Sequence, residues 1–305
     1  MENNFISKKD IIKLSENDNY YSLHRWRYYE EVINILKILD TENISSILEI
    51  GPYKTPIVEN SDVLDIYDYH EYFPIKVNNL IKHDCSQVPF PIEDKTYDLI
   101  IACQTMEHFG IYNEQKIAFK EFSRISKKAI ISLPFKWFAP TLRNHHMIDQ
   151  RVIDSWTRPF GYTYESIEGT TTDYPTNIRV YDFSKIYLQN LFFELPNNYE
   201  ISDEGYNSIK LTGSDMTIKG LAFKKTKEIN RYVNEYVSSK GDLDITVSYF
   251  NWKYPVVKTI INSLPNYVHY WFEVDNFIFH FYSENANNTI DKLIKFLVNS
   301  IEQIK

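Results

Sequence analysis

The densest group of proton-handling side chains in the chain is Arg143-Asn144-His145-His146-Met147-Ile148-Asp149. A neutral imidazole with an ordinary pKa of ~6.5 suits removal of a proton from an acceptor hydroxyl. His145 or His146 is therefore the candidate base, since adjacent residues cannot both face the same way. Hydrogen bonds that merely hold the segment to the backbone fit the same two residues. Their spacing to Asp149 would suit a metal pair, but no further ligand stands nearby, so no metal site is expected. Cys85 and Cys103 lie in apolar stretches and supply neither a disulfide framework nor a zinc site. A second group consists of acids at the ends of short apolar runs: Glu49 before Gly51-Pro52, Asp65 and Asp68 after the next run, and Asp84 beside Cys85 after a third. A carboxylate can accept two hydrogen bonds as a fork, and a glycine lets the backbone approach a ligand closely. Capping of a loop amide is the structural alternative for Glu49, and capping of a turn that for either aspartate.

These residues need a scaffold, and the apolar pattern supplies one. Residues 20–40 have helical spacing, through Trp26, Tyr29, Ile33, Leu36 and Leu39. Short apolar runs at 46–50, 63–67, 79–83, 97–103 and 128–133 read as strands, with a helix at 114–126 between the last two. Strands alternating with crossovers imply a doubly wound α/β sheet. From 135 to 181 the sequence turns aromatic and proline-rich and reads as a cap insertion with one helix at 148–157. Trp137, Phe138, Trp156, Phe160 and Tyr162 would give it a stacking floor, or equally a packed core. A helix is expected at 182–193, then a closing antiparallel hairpin formed by 206–211 and 216–223. Beyond 227, a helix is followed by strand 244–250, helix 255–264, strands 268–274 and 277–282 and helix 290–304. This order, βαββα, suggests a small α+β unit. The expected domains are an N-terminal helical lid (1–43), a ligand-binding domain (44–226, with the cap at 135–181) and the C-terminal unit (227–305), which could join two copies as a homodimer.

The segment Ile47-Leu48-Glu49-Ile50-Gly51-Pro52-Tyr53 resembles the first strand and loop of the class I methyltransferases, and later landmarks follow in the family's order. The resemblance implies a Rossmann-like fold that binds S-adenosylmethionine. It implies that Glu49, Gly51, Pro52 and Tyr53 wrap the methionine part, and that Asp68, or its rival Asp65, accepts the ribose hydroxyls. Asp84 and Cys85 would read the adenine. Gln104 to His108 would stand where the fourth strand opens onto the methyl donor, with Gln104 against the cofactor and Met106-Glu107-His108 matching a leucine-glutamate-histidine of the family; the residues alone fit Glu107 on a solvated surface and His108 capping the next helix. The sequence departs from the family in carrying Tyr53, Lys54 and Thr55 where further glycines are usual, and Pro56 implies a very short first crossover helix.

Composition narrows the acceptor. With 33 Lys and Arg against 41 Asp and Glu, the net charge of −8 offers no general attraction to a phosphate backbone, so nucleic acid is not the expected partner. No basic patch followed by an apolar run opens the chain, and no run reaches the ~20 residues of a membrane span, so a soluble cytoplasmic protein is expected. Together with the resemblance, these features point to an enzyme methylating an oxygen of a sugar, glycan or other small acceptor, in the manner of polysaccharide-associated methyltransferases. Arg25 or Arg143 could bind an anionic group on it. The alternative is a methyltransferase fold that binds or scaffolds without catalysis.

Overall fold

The structure, a computed structural model, describes residues 4–16, 23–39, 44–110, 113–137, 147–169, 174–189, 191–196, 199–205, 207–214, 216–241, 243–262, 267–284 and 288–303. It divides into two compact units. The first comprises 1–158 and 162–183, the second 159–161 and 184–305.

The first unit contains, in order, α1 (Lys8–Ser15), α2 (Leu23–Leu39), β1 (Ile47–Ile50), β2 (Asp62–Asp65), β3 (Leu80–Lys82), β4 (Tyr97–Cys103), α3 (Glu114–Ile125), β5 (Ser126–Pro134), α4 (Gln150–Thr157), β6 (Tyr162–Glu168) and β7 (Thr176–Asp182). Its strands form one seven-stranded sheet in the order β3-β2-β1-β4-β5-β7-β6. The pairs among β3, β2, β1, β4 and β5 are parallel, and β7 runs antiparallel to both β5 and β6. A strand buried on both faces reads as a continuous apolar run, as Leu99-Ile100-Ile101-Ala102 does here. Leu99 and Ile101 face α2, joining Val32, Leu36, Ile130, Ile178 and Val180 in one apolar cluster. On α3, Phe119 meets Tyr181 and Phe183 edge-on, so α3 covers the opposite face. Helices on both sides of a mostly parallel sheet make the unit doubly wound.

The second unit adds β8 (Lys185–Leu188), β9 (Leu191–Glu194), β10 (Glu200–Gly205), β11 (Ser208–Thr212), β12 (Thr217–Lys224), α5 (Ile229–Ser238), β13 (Ile245–Asn251), β14 (Pro255–Ile261), β15 (Tyr267–Val274), β16 (Phe277–Glu284), α6 (Asn288–Ser300) and β17 (Glu302–Gln303). Seven of these strands form an antiparallel sheet, β10-β11-β12-β16-β15-β14-β13, and three form a small sheet, β17-β9-β8.

Four expectations are corrected. The 135–181 segment is not wholly an insertion, because β6 and β7 lie within it and complete the first sheet. Residues 182–193 form no helix: they hold the hairpin β8–β9, turned at Gln189 with φ +47°. The hairpin expected to close the first sheet, β11–β12, belongs to the second, so the units part at Phe183–Ser184 rather than at 226. Where a helix was expected at 255–264, residues 255–261 give strand β14, paired on both edges. Val256, Val257, Thr259, Ile260 and Ile261 are β-branched and lose little by extension. The C-terminal order is thus a four-stranded meander rather than βαββα.

Candidate functional site

The carboxyl ends of β1, β2 and β4 form the region where open α/β sheets bind ligands. Gly51 follows β1 with φ +59°, and its N–H donates to Leu64 O at 2.8 Å. A Cβ there would lie 2.4 Å from Thr105 Cγ2, so the glycine is required by both backbone conformation and the close passage of the β4 loop. Thr105 Oγ1 donates to Gly51 O at 3.1 Å, tying the two loops together. Tyr53 is also left-handed (φ +56°), and its N–H donates to Asp65 Oδ2 at 3.2 Å. Of the expected strand-end acid Asp68 and its rival Asp65, it is Asp65 that meets the glycine loop. It is buried, and desolvation pushes its carboxyl up against the N–H groups of Tyr67, Tyr53 and Ile66, which favour the anion. Asp68 is exposed and caps His70 N–H at 3.0 Å.

Glu49 is buried within the fold and makes the loop-amide contact. Its Oε2 accepts from Ile57 N–H at 2.7 Å, and its Oε1 accepts from Val58 N–H at 2.8 Å and Ser61 Oγ at 2.9 Å. Burial pushes this carboxyl up to about 7 while the three donors oppose the shift. Beyond β3, Asp84 takes the Ser86 N–H and hydroxyl, which lowers its pKa, and Cys85 is buried with its thiol pushed up by desolvation and by the charges of Asp65 and Asp84. Gln104, left-handed at φ +52°, anchors its N–H on Ser132 O at 2.8 Å. Its Nε2 is buried without a hydrogen-bond partner among the described residues.

Glu49, Gly51, Pro52, Tyr53 and Gln104 line one narrow cleft. Its far wall is α2, through Arg25, Tyr28 and Tyr29. Arg25 Nη1 donates to Tyr28 Oη at 3.1 Å, and Tyr29 Oη shares a 2.6 Å hydrogen bond with Thr55 Oγ1. Tyr28 was not singled out from sequence and Tyr29 was named only for its helical spacing, although Arg25, Tyr28, Tyr29 and Val32 follow the i, i+3, i+4, i+7 rule for a single helix face. Glu107 is not on a solvated surface. It is 1% exposed, and burial pushes its carboxyl up to about 8. His108 has its pKa lowered by burial and by the Arg25 cation.

The parallel run β3-β2-β1-β4-β5 is closed by an antiparallel hairpin. An acidic-apolar-glycine loop ends β1, and a buried acid ends β2. The first unit is an open, doubly wound, Rossmann-like α/β sheet.

No family model matches the chain, and no curated protein matches it. Among solved structures it is similar to the N-methyltransferase NodS from Bradyrhizobium japonicum WM9, at 12% identity and TM-score 0.42, over 52% of this chain and 96% of that one. An S-adenosylmethionine-dependent methyltransferase from Methanosarcina mazei gives 12% identity and TM-score 0.36, over 45% and 91% of the two chains. Monomeric WbdD gives 10% identity and TM-score 0.39, over 88% and 68%. Likeness at this distance carries neither an activity nor a substrate across.

The structure describes only some of the residues expected to handle the acceptor. His145, His146, Arg143 and Phe138 lie outside the described residues. Asp149 caps α4, accepting from Arg151 N–H at 2.9 Å and Val152 N–H at 3.1 Å. Among the described residues no cluster of three or more metal-ligating side chains exists. Trp137 Nε1 donates to Pro175 O at 2.8 Å, Phe160 is buried in the second unit, and Tyr162 lies under the Arg179 guanidinium at 4.3 Å. No helix of the described residues is long and apolar enough to cross a membrane.

Proposed function

We propose that the first unit binds S-adenosylmethionine at the ends of β1, β2 and β4 and transfers its methyl group to an oxygen of a sugar, glycan or other small acceptor. The observation that carries the reading is the loop from Gly51 to Tyr53, left-handed at both residues, which donates the Tyr53 N–H to buried Asp65 and lines a cleft together with Gln104, whose amide nitrogen is unpaired among the described residues. These residues fit the cofactor. Asp65 would accept the ribose hydroxyls, Asp84 and Cys85 would flank the adenine, and Gln104 would donate its amide N–H to the ligand's polar end. When bound, the cofactor supplies a methyl group on a sulfonium centre. The chain's own part is orientation of the acceptor in line with that methyl group and exclusion of water. His145 or His146 takes the acceptor proton in this reading, and Arg25 offers a cation to an acidic acceptor.

The test is calorimetric titration of the full chain with S-adenosylmethionine and S-adenosylhomocysteine, repeated on Asp65→Asn and Gln104→Ala. Loss of one hydrogen bond to a charged group corresponds to about 10- to 100-fold weaker binding. No loss in either variant would sink the proposed site. A second reading, a methyltransferase fold that binds without catalysis, draws on Tyr53, which adopts a left-handed conformation that glycine would take without strain. Cofactor binding with no turnover across sugar and nucleotide-sugar acceptors would favour it.

A further inference from the structure

Exposed sheet edges invite pairing with other strands, and proteins blunt them by shortness, bulges or charge. The edges of this molecule show those devices, with one exception. Strands β3, β8 and β17 have at most four residues, and β6 and β10 carry register shifts, with Glu200, Asp203 and Glu204 also in the β10 sequence. Strand β13 has none. It is seven residues long, Ile245-Thr-Val-Ser-Tyr-Phe-Asn251, without charge or proline, and it pairs with β14 in unbroken register. Among the described residues no strand pairs with its outer side. Val247 and Tyr249 are 38% and 69% exposed on one face of it.

The backbone polarity of that edge is set by a neighbouring bond. Asn262 N–H donates to Asp244 O at 2.9 Å, so the even-numbered residues of β13 direct their backbone groups to β14. The N–H and C=O groups of Ile245, Val247, Tyr249 and Asn251 therefore point outward.

We propose that β13 pairs antiparallel with the β13 of a second copy of this chain, about a two-fold axis at Ser248, making one continuous sheet across a homodimer. Three features select this occupant. First, the two-fold pairing sets Val247 of one copy opposite Tyr249 of the other, so each exposed apolar side chain covers its counterpart as an aromatic–β-branched pair. Second, both lie at positions whose outward N–H and C=O groups exchange hydrogen bonds. Third, Asp244 precedes the strand and Lys253 follows it, so antiparallel pairing brings the acidic end of one copy against the basic end of the other. A β strand of an unrelated protein would have no such built-in complement. The surface is small, so the dimer belongs at the weak end of specific interfaces. The inference is independent of the methyl-transfer reading.

The experiment is analytical ultracentrifugation of the full chain over a concentration series, alongside Val247→Lys and Tyr249→Lys, with circular dichroism to verify folding. A concentration-dependent dimer, weakened about tenfold or more by each lysine, is the expected result. A monomer at every concentration, or a dimer that both lysines leave intact, would overturn the proposal. Ser248→Cys gives an arm that does not depend on disrupting the strand. At the two-fold axis its Cβ meets its own counterpart at roughly 4.5–5.5 Å, so mild oxidation yields a covalent dimer. Thr246→Cys, on the same face but off the axis, does not, and cross-linking of both to the same extent would also overturn it.

Discussion

At the level of single residues, Gly51 makes the most direct stability claim. A side chain there meets both a left-handed backbone and Thr105 Cγ2 at 2.4 Å. Gly51→Ala is expected to cost about 2 kcal/mol or more, read from urea denaturation; a neutral result would mean the loop relaxes without loss. Glu49 and Glu107 carry a pH signature. Burial raises both carboxyls, to about 7 and about 8, above an unfolded value near 4.5. Their neutral forms are favoured by folding, so the contribution is complete below pH ~4.5 and lost as pH rises through 7 to 8. Glu107→Gln, neutral at all pH, should flatten that decline in the first unit, and an unchanged decline would show Glu107 to be uninvolved. Part of this site was legible in the residues. The order of Glu49, Gly51, the strand-end acid, Asp84 and Gln104 follows from short apolar runs ended by polar residues. The choice between Asp65 and Asp68 was not legible, because it depends on where β2 stops, and one residue of extension reverses which side chain points at the loop. Glu107 looked like a surface acid for a similar reason: a short turn after a strand gives no periodicity from which burial can be read.

At the scale of elements, Arg179 on β7 fastens α4 and β6 to the sheet. Its side chain is wholly buried, with Nη1 donating to Asp154 at 2.8 Å and Nε to Glu165 at 2.9 Å. The two carboxylates left without their cation are 31% and 24% exposed, so Arg179→Met should destabilise by about 1–3 kcal/mol. Chemical denaturation would measure it, and a loss below 1 kcal/mol would mean that the two carboxylates find water instead. The doubly wound part of the sheet was readable because buried parallel strands are continuous apolar runs separated by polar crossovers. The elements after β5 were misread where period and length conflict. Phe183, Ile186, Leu191 and Phe193 fit a helix loosely, yet alternation of Ile186 and Leu188 around a left-handed Gln189 makes a hairpin. The β14 residues have helix-compatible spacing, but their branching at Cβ and the two flanking strands decide for extension.

At the scale of the whole molecule, the two units should respond to pH in opposite senses. In the second, Tyr236 Oη and His269 Nε2 share a 2.6 Å hydrogen bond, and His269 Nδ1 meets His280 Nε2 at 2.9 Å. Burial lowers these imidazoles to about 4 and about 3. A depressed histidine contributes stability above its unfolded pKa of ~6.5 that is lost as pH falls through the folded value. Hydrogen exchange followed by unit should show the second weakening from pH 6.5 toward 4 and the first weakening from pH 5 toward 8; parallel profiles would contradict the assignment. The central claim, however, concerns the cleft of the first unit. Its most direct test is calorimetric titration with S-adenosylhomocysteine, on the wild type and on Asp65→Asn. Saturable one-to-one binding, weakened about 10- to 100-fold by the substitution, is the expected result. Absence of binding to the folded wild-type chain, or binding indifferent to Asp65, would contradict it.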